Sequence, residues 1–244
     1  MNVANSQMNY GPGPASRKPA RSEVIASSIL LCVLVGVGTD VLVTVMVYLN
    51  AWAGPAFPWF IAPALAISFA VFRRSRGWYK QLPTVRPPSK AVSALASVLL
   101  GAAIAAAALL SVALVSRDAL LHGRIELTGD HYHTTAALRA GVSLTVPVMA
   151  ALYEEAGARA ALQLRLQHVI GPVSAEVLAG IVFVVLHGFV IAKSPWQVPF
   201  LALSAFANGR LAAVTQTVGY PVLSHGLSNG ILMVTYIIFR GMNR

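Results

Sequence analysis

The run Ala91–Val115, AVSALASVLLGAAIAAAALLSVALV, holds no charged residue and no polar side chain other than serine. An apolar run of ~20 residues or more is long enough to cross the hydrocarbon of a bilayer as a helix. Similar runs lie on both sides of it. They cover about Val24–Leu49, Trp59–Phe72, Val173–Ala192, Gln197–Thr217 and Val222–Phe239, with a further one starting near Ala140. Charged residues make up only 11% of the 244-residue chain and hydrophobic residues 57%, whereas soluble domains carry about 25% charge. The expected fold is therefore all-α: a polytopic membrane helical bundle of about seven transmembrane helices, within a range of about six to eight.

Between and before these runs the chain is basic, and its formal net charge is +10. The excess sits in the N-terminal tail (Arg17, Lys18, Arg21) and in the segment Arg73, Arg74, Arg76, Lys80, Arg86, Lys90. Cytoplasmic loops carry such an excess, so it marks orientation and not a nucleic-acid surface. The tail and the 73–90 loop are expected on the cytoplasmic side, in a multi-pass protein of a bacterial plasma membrane. Residues 1–22, polar and rich in glycine and proline, are expected to be a disordered tail. Residues 23–135 are expected to form N-terminal transmembrane helices and loops, and 136–244 a C-terminal helical core. Small residues let helices approach closely in lipid, which places Ala91–Val115 at the centre of the bundle. One cysteine, Cys32, excludes an internal disulfide.

Ionisable groups at membrane depth are costly and mark functional sites by default. Three pieces carry them: Glu154-Glu155-Ala156-Gly157-Ala158-Arg159, Phe183-Val184-Val185-Leu186-His187 and His225-Gly226-Leu227-Ser228-Asn229. Glu155 and Arg159 are four apart, a helix ion pair with the acid on its favourable side. Glu154 is turned about 100° from Glu155 around the axis, so the two glutamates face different surroundings. His225 and Asn229 share a face at the same four-residue spacing, and Phe183 lies one turn before His187. Asp40 is set aside as a buried acid bonded within its own surroundings. His122, His131 and His133 are taken as residues of a solvated loop.

A glutamate beside imidazoles in an apolar cavity can deprotonate water, and the same groups could instead hold a zinc ion that activates it. An asparagine can donate to an oxyanion. The order Glu-Glu-x-x-x-Arg, Phe-x-x-x-His, His-x-x-x-Asn resembles the CPBP family, the CAAX-protease and bacteriocin-processing group also called ABI, over about Leu144–Arg244. Phe206, Gly209 and the Tyr220-Pro221 turn also look like that family. The resemblance implies an intramembrane endopeptidase acting on a membrane-associated, prenylated or peptide substrate. It implies Glu154 as the water-activating carboxylate, with His187, His225 and Asn229 completing the site and Glu155 and Arg159 in support. Phe183 is assigned to packing. Zinc, if used, would be held by His187, His225 and Glu154. The expected partners are a peptide or protein substrate and the lipid bilayer, with no nucleic acid. A non-proteolytic scaffold or bacteriocin-immunity protein of the same fold is the alternative, and a proton-coupled transporter the next.

One difficulty is visible at this stage. His187 lies far along its helix from Val173, so a membrane entry at Val173 would separate it from Glu154 and His225. A protruding fifth helix, with Glu176 in water, is the expected resolution.

Overall fold

A backbone in hydrocarbon must satisfy its own hydrogen bonds, so apolar runs of this kind close into helices. In a computed structural model, residues 20–48, 65–74, 87–115, 148–193 and 195–242 are described. Each of these stretches is dominated by helix. The helices are α1 (Arg21–Tyr48), α2 (65–74), α3 (Lys90–Val115), α4 (148–170), α5 (Pro172–Leu186), α6 (Gly188–Lys193), α7 (Val198–Thr215) and α8 (Gly219–Met242). Two of them, over Lys90–Leu114 and Val198–Thr215, are long and apolar enough to cross a membrane. The tail before Ala20, the corner after α1 and the loop with His122, His131 and His133 lie outside the described residues.

The helices end where the sequence removes their support. Gly171 adopts φ +86°, a conformation glycine reaches without strain, and Pro172 then opens α5. Gln216 takes the left-handed conformation (φ 53°) and closes α7. The turn expected at Gly219–Pro221 therefore falls slightly earlier, and Gly219 already begins α8.

The centre of the bundle is α4, not α3. In α4 every residue from Ala156 to Gln163 is buried. Its faces meet Val35, Val71 and Val218 on one side, Cys32, Ala175 and Ala179 on another, and Phe183, Leu201 and Ala205 on a third. By contrast, α3 leaves Leu95, Leu99, Leu110 and Leu114 exposed, as suits a lipid-facing helix. Its small residues form one close seam rather than a fully enclosed rod. The stretch after Arg159 stays inside the bundle even where it is polar. Gln163 and Gln167 are buried, and Gln163 Nε2 donates to the Gly209 carbonyl at 2.8 Å.

The α3 seam lies against α8. A β-carbon added at Gly101 would stand 2.5 Å from the Ser224 carbonyl oxygen and 3.2 Å from Leu227 Cβ. The obstacle at Ser224 is backbone, which cannot swing aside. Gly101→Ala should therefore cost about 1–3 kcal/mol through overpacking. It should also push away the turn of α8 that carries His225. A lowered midpoint of thermal unfolding in detergent, with reduced activity, is the expected outcome. An unchanged midpoint would contradict this packing.

Candidate active site

Glu154 and His187 lie almost equally far from the Gly171 corner, one before it and one after. In an antiparallel helix pair such residues end up side by side. This geometry removes the difficulty of depth, because α4 runs on to residue 170 and Glu154 is not near its end. The fifth helix does not need to protrude. Glu176 is half-buried, 3.9 Å from the exposed Arg210, and so is not simply in water. Arg210 faces outward, away from the acid–imidazole cluster.

Inside α4 the chain departs from regular α-helix. Ala156–Gln163 is π-helical, and Leu164 N–H bonds the Arg159 carbonyl five residues back. Such bulges occur frequently at functional sites. The bulge begins directly after Glu154 and Glu155, which mark its boundary.

Glu155 and Arg159 are both fully buried, with Arg159 Nε donating to Glu155 Oε2 at 2.9 Å. Arg159 Nη2 donates to the Ala205 carbonyl at 2.8 Å, and the guanidinium lies 5.5 Å from the centre of the Phe183 ring. The brace expected from sequence reaches further than one helix. Glu155 Oε1 is 3.0 Å from His225 Nδ1, so the same carboxylate joins α4 to α8. Phe183 touches both histidines, with ring centres 4.5 Å from His187 and 5.9 Å from His225.

The partners of the two imidazoles fix their tautomers. His187 Nδ1 is 2.8 Å from the Phe183 carbonyl, which can only accept, so Nδ1 carries the proton. Glu155, paired with a permanently charged guanidinium, accepts from His225 Nδ1 in the same way. In each neutral ring the remaining nitrogen, Nε2, is then an acceptor. Both Nε2 atoms face the same oxygen: Glu154 Oε2 lies 3.5 Å from His187 Nε2 and 3.6 Å from His225 Nε2. That oxygen is buried and has no hydrogen-bond donor of its own. Both Nε2 atoms thus converge on one carboxylate oxygen.

Two imidazoles and a carboxylate are the donor set of a familiar class of catalytic zinc. An Nδ1–H held by a carboxylate or carbonyl is its usual support. The separations of 3.5 and 3.6 Å lie close to the edge of about 3.3–3.5 Å set by ~2.0–2.2 Å bonds in a tetrahedron. Among the described residues no group of three or more His, Cys, Asp or Glu is placed to hold a metal ion.

Of the residues expected from sequence, Glu154, Glu155, Arg159, Phe183, His187 and His225 form one cluster. Asn229 stands one turn beyond His225 on α8, half-buried. Sequence reasoning did not assign Gln163 to the cluster's surroundings, although its spacing of four from Arg159 continues the Glu155–Arg159 ladder.

The bundle thus encloses a carboxylate–imidazole cluster drawn from α4, α5 and α8. Residues 136–231 match the family model described as Rce1-like, type II CAAX prenyl endopeptidase. The matched segment carries all three motif pieces, and it relates the chain to the CAAX-protease (CPBP) family of intramembrane endopeptidases. The family relationship and the apolar helices together make this an integral membrane protein. No curated protein and no solved structure matches the chain.

Proposed function

We propose that the chain is an intramembrane endopeptidase in which Glu154 activates a water held between His187 and His225. The supporting observation is the convergence of both Nε2 atoms on Glu154 Oε2 at 3.5 and 3.6 Å, with both Nδ1 positions already committed. A water at that point would donate one proton to Glu154 Oε2 and the other to one imidazole Nε2, and turn a lone pair toward a substrate carbonyl. As the water attacks, its proton passes to Glu154 and the carbonyl oxygen becomes an oxyanion. Asn229 donates to that oxyanion. The tetrahedral intermediate then collapses, and Glu154 returns the proton to the leaving amine. Buried Glu155, braced by Arg159, holds the His225 ring and its tautomer throughout. A zinc ion held by His187, His225 and Glu154 would supply the same activation of water. Metal analysis of the purified protein separates the two, and full activity without stoichiometric metal is the expected result.

The substrate would be a membrane-anchored peptide or protein, prenylated in the manner of the family. A scaffold of the same fold would gain nothing from three acceptors aimed at one buried point. Asn229→Ala should lower kcat by about 10²–10³-fold, the usual loss of one oxyanion donor, with little change in KM. Steady-state cleavage of an anchored peptide measures this, and an unaltered kcat would remove Asn229 from the mechanism.

A further inference from the structure

Glu176 takes no part in the proposed mechanism, yet its surroundings lead to the site. It stands in the second turn of α5, with a side chain only 16% exposed. Its stem crosses α7 at Gly209. A β-carbon added at Gly209 would stand 3.3 Å from Glu176 Cγ, 3.3 Å from Gln163 Oε1 and 3.4 Å from Arg159 Nη1. Three side chains from α4 and α5 therefore close on the bare backbone of α7 at this point. Arg159 turns to them the one nitrogen, Nη1, that bonds neither Glu155 Oε2 nor the Ala205 carbonyl. The Glu176 carboxylate lies within electrostatic reach of both Arg159 and Arg210, and its Oε2 is 3.9 Å from Arg210 Nη1.

Charges alternate along this path. Arg210, Glu176, Arg159, Glu155 and the His225 imidazole follow one another from the exposed side of α7 to the acid–imidazole cluster. The two cations beside Glu176 differ in weight. Arg210 is 68% exposed, so water screens it and its pair contributes little. Arg159 is fully buried, where charges a few ångströms apart act on each other far more strongly. A guanidinium between two carboxylates divides its attraction between them. We propose that Glu176 is a positioning residue of the site: it draws on Arg159 from the side away from Glu155, and so leaves the Glu155 carboxylate the stronger acceptor for His225 Nδ1–H. Gly209 allows this because it puts no side chain between Glu176 and the guanidinium. Only the activity arm of the test below rests on the proposed hydrolysis.

Glu176→Gln, Glu176→Asp and Arg210→Gln in the full chain in lipid nanodiscs test this. Glutamine keeps the shape beside Gly209 and removes only the charge. It should shift the ¹⁵N imidazole resonances of His225 and lower kcat for an anchored peptide about threefold to tenfold, the range of coupling within one charged network, with KM little changed. Aspartate keeps the charge and should bring resonances and kcat most of the way back. Arg210→Gln should leave the His225 resonances in place and kcat within about twofold of wild type. Wild-type His225 resonances in Glu176→Gln would overturn the proposal, and so would aspartate no better than glutamine. An Arg210→Gln variant that reproduces the Glu176→Gln shift would also overturn it, by showing that Glu176 acts through the surface pair. If the wild type cleaves no peptide, the His225 resonances still decide the role of Glu176, while the hydrolytic mechanism alone falls.

Discussion

Glu154→Gln is expected to reduce peptide cleavage by about 10³-fold or more while leaving the protein folded, in line with the loss of a general base. The amide keeps the shape of the carboxyl but cannot take a proton from water. It also changes the pattern of donors. An amide nitrogen placed between two imidazole acceptors would satisfy them by itself and lock the site in a resting arrangement. The fold should be indifferent, because the enclosed ion pair lies with Glu155 and Arg159 rather than with Glu154, which is partly open at 17% side-chain exposure. Unfolding midpoints of variant and wild type should agree within error, and cleavage should differ by the stated factor. Retained cleavage in the variant would remove Glu154 from the role of base.

The second large effect concerns stability. Arg159→Met should destabilise the protein by about 3–5 kcal/mol, the scale of leaving one partner of a buried pair uncompensated. Arg159 has 0% exposure and so has Glu155, so water cannot take the place of the guanidinium. The Ala205 carbonyl would also lose its donor. Removing both charges, as Arg159→Met with Glu155→Gln, should recover part of the loss, because no isolated buried charge remains. Thermal or denaturant unfolding in detergent measures both variants. A double variant less stable than the single one would contradict the account of the pair as mutual compensation.

In the proposed mechanism the two glutamates divide their tasks between chemistry and architecture, and the different surroundings of the two were legible in the sequence. Neighbouring residues on a helix point about 100° apart, and only Glu155 has a basic residue four positions on. The meeting of Glu154 with His187 was legible in principle from their nearly equal spacing about Gly171. It was obscured by measuring the depth of His187 from a membrane entry at Val173, although the preceding helix continues to the break at Gly171-Pro172. Partners that are backbone atoms left no trace. The carbonyls of Ala205, Gly209 and Phe183 fix Arg159, Gln163 and His187, yet every residue has a carbonyl, so residue types do not reveal which one is used. For the same reason residue type alone does not reveal that Gln163 and Gln167 are buried. The π-helical segment was hidden too, because it changes hydrogen-bond register without requiring a special side chain. The centre of the bundle was misplaced because small residues on α3 signal one close contact, at Gly101, and not burial on every side.

The His225–Glu155–Arg159 chain also gives the site a built-in orientation. A neutral imidazole can carry its proton on either nitrogen. Here a buried carboxylate accepts a hydrogen bond from the Nδ1–H of one ring, and a carbonyl accepts one from that of the other. The Nε2 lone pairs are left facing the cavity without any reorganisation during reaction. Preorganisation of this sort is usually the largest contribution an enzyme makes.

The central claim is that these residues together direct a water at a peptide bond. It is tested most directly by incubating the purified full chain in vesicles with a library of prenylated and otherwise membrane-anchored peptides in ¹⁸O-water, with products read by mass spectrometry. The account predicts cleaved products in which the new carboxylate carries one ¹⁸O atom. A folded protein that cleaves no anchored peptide in the library, or a product without solvent oxygen, would contradict it.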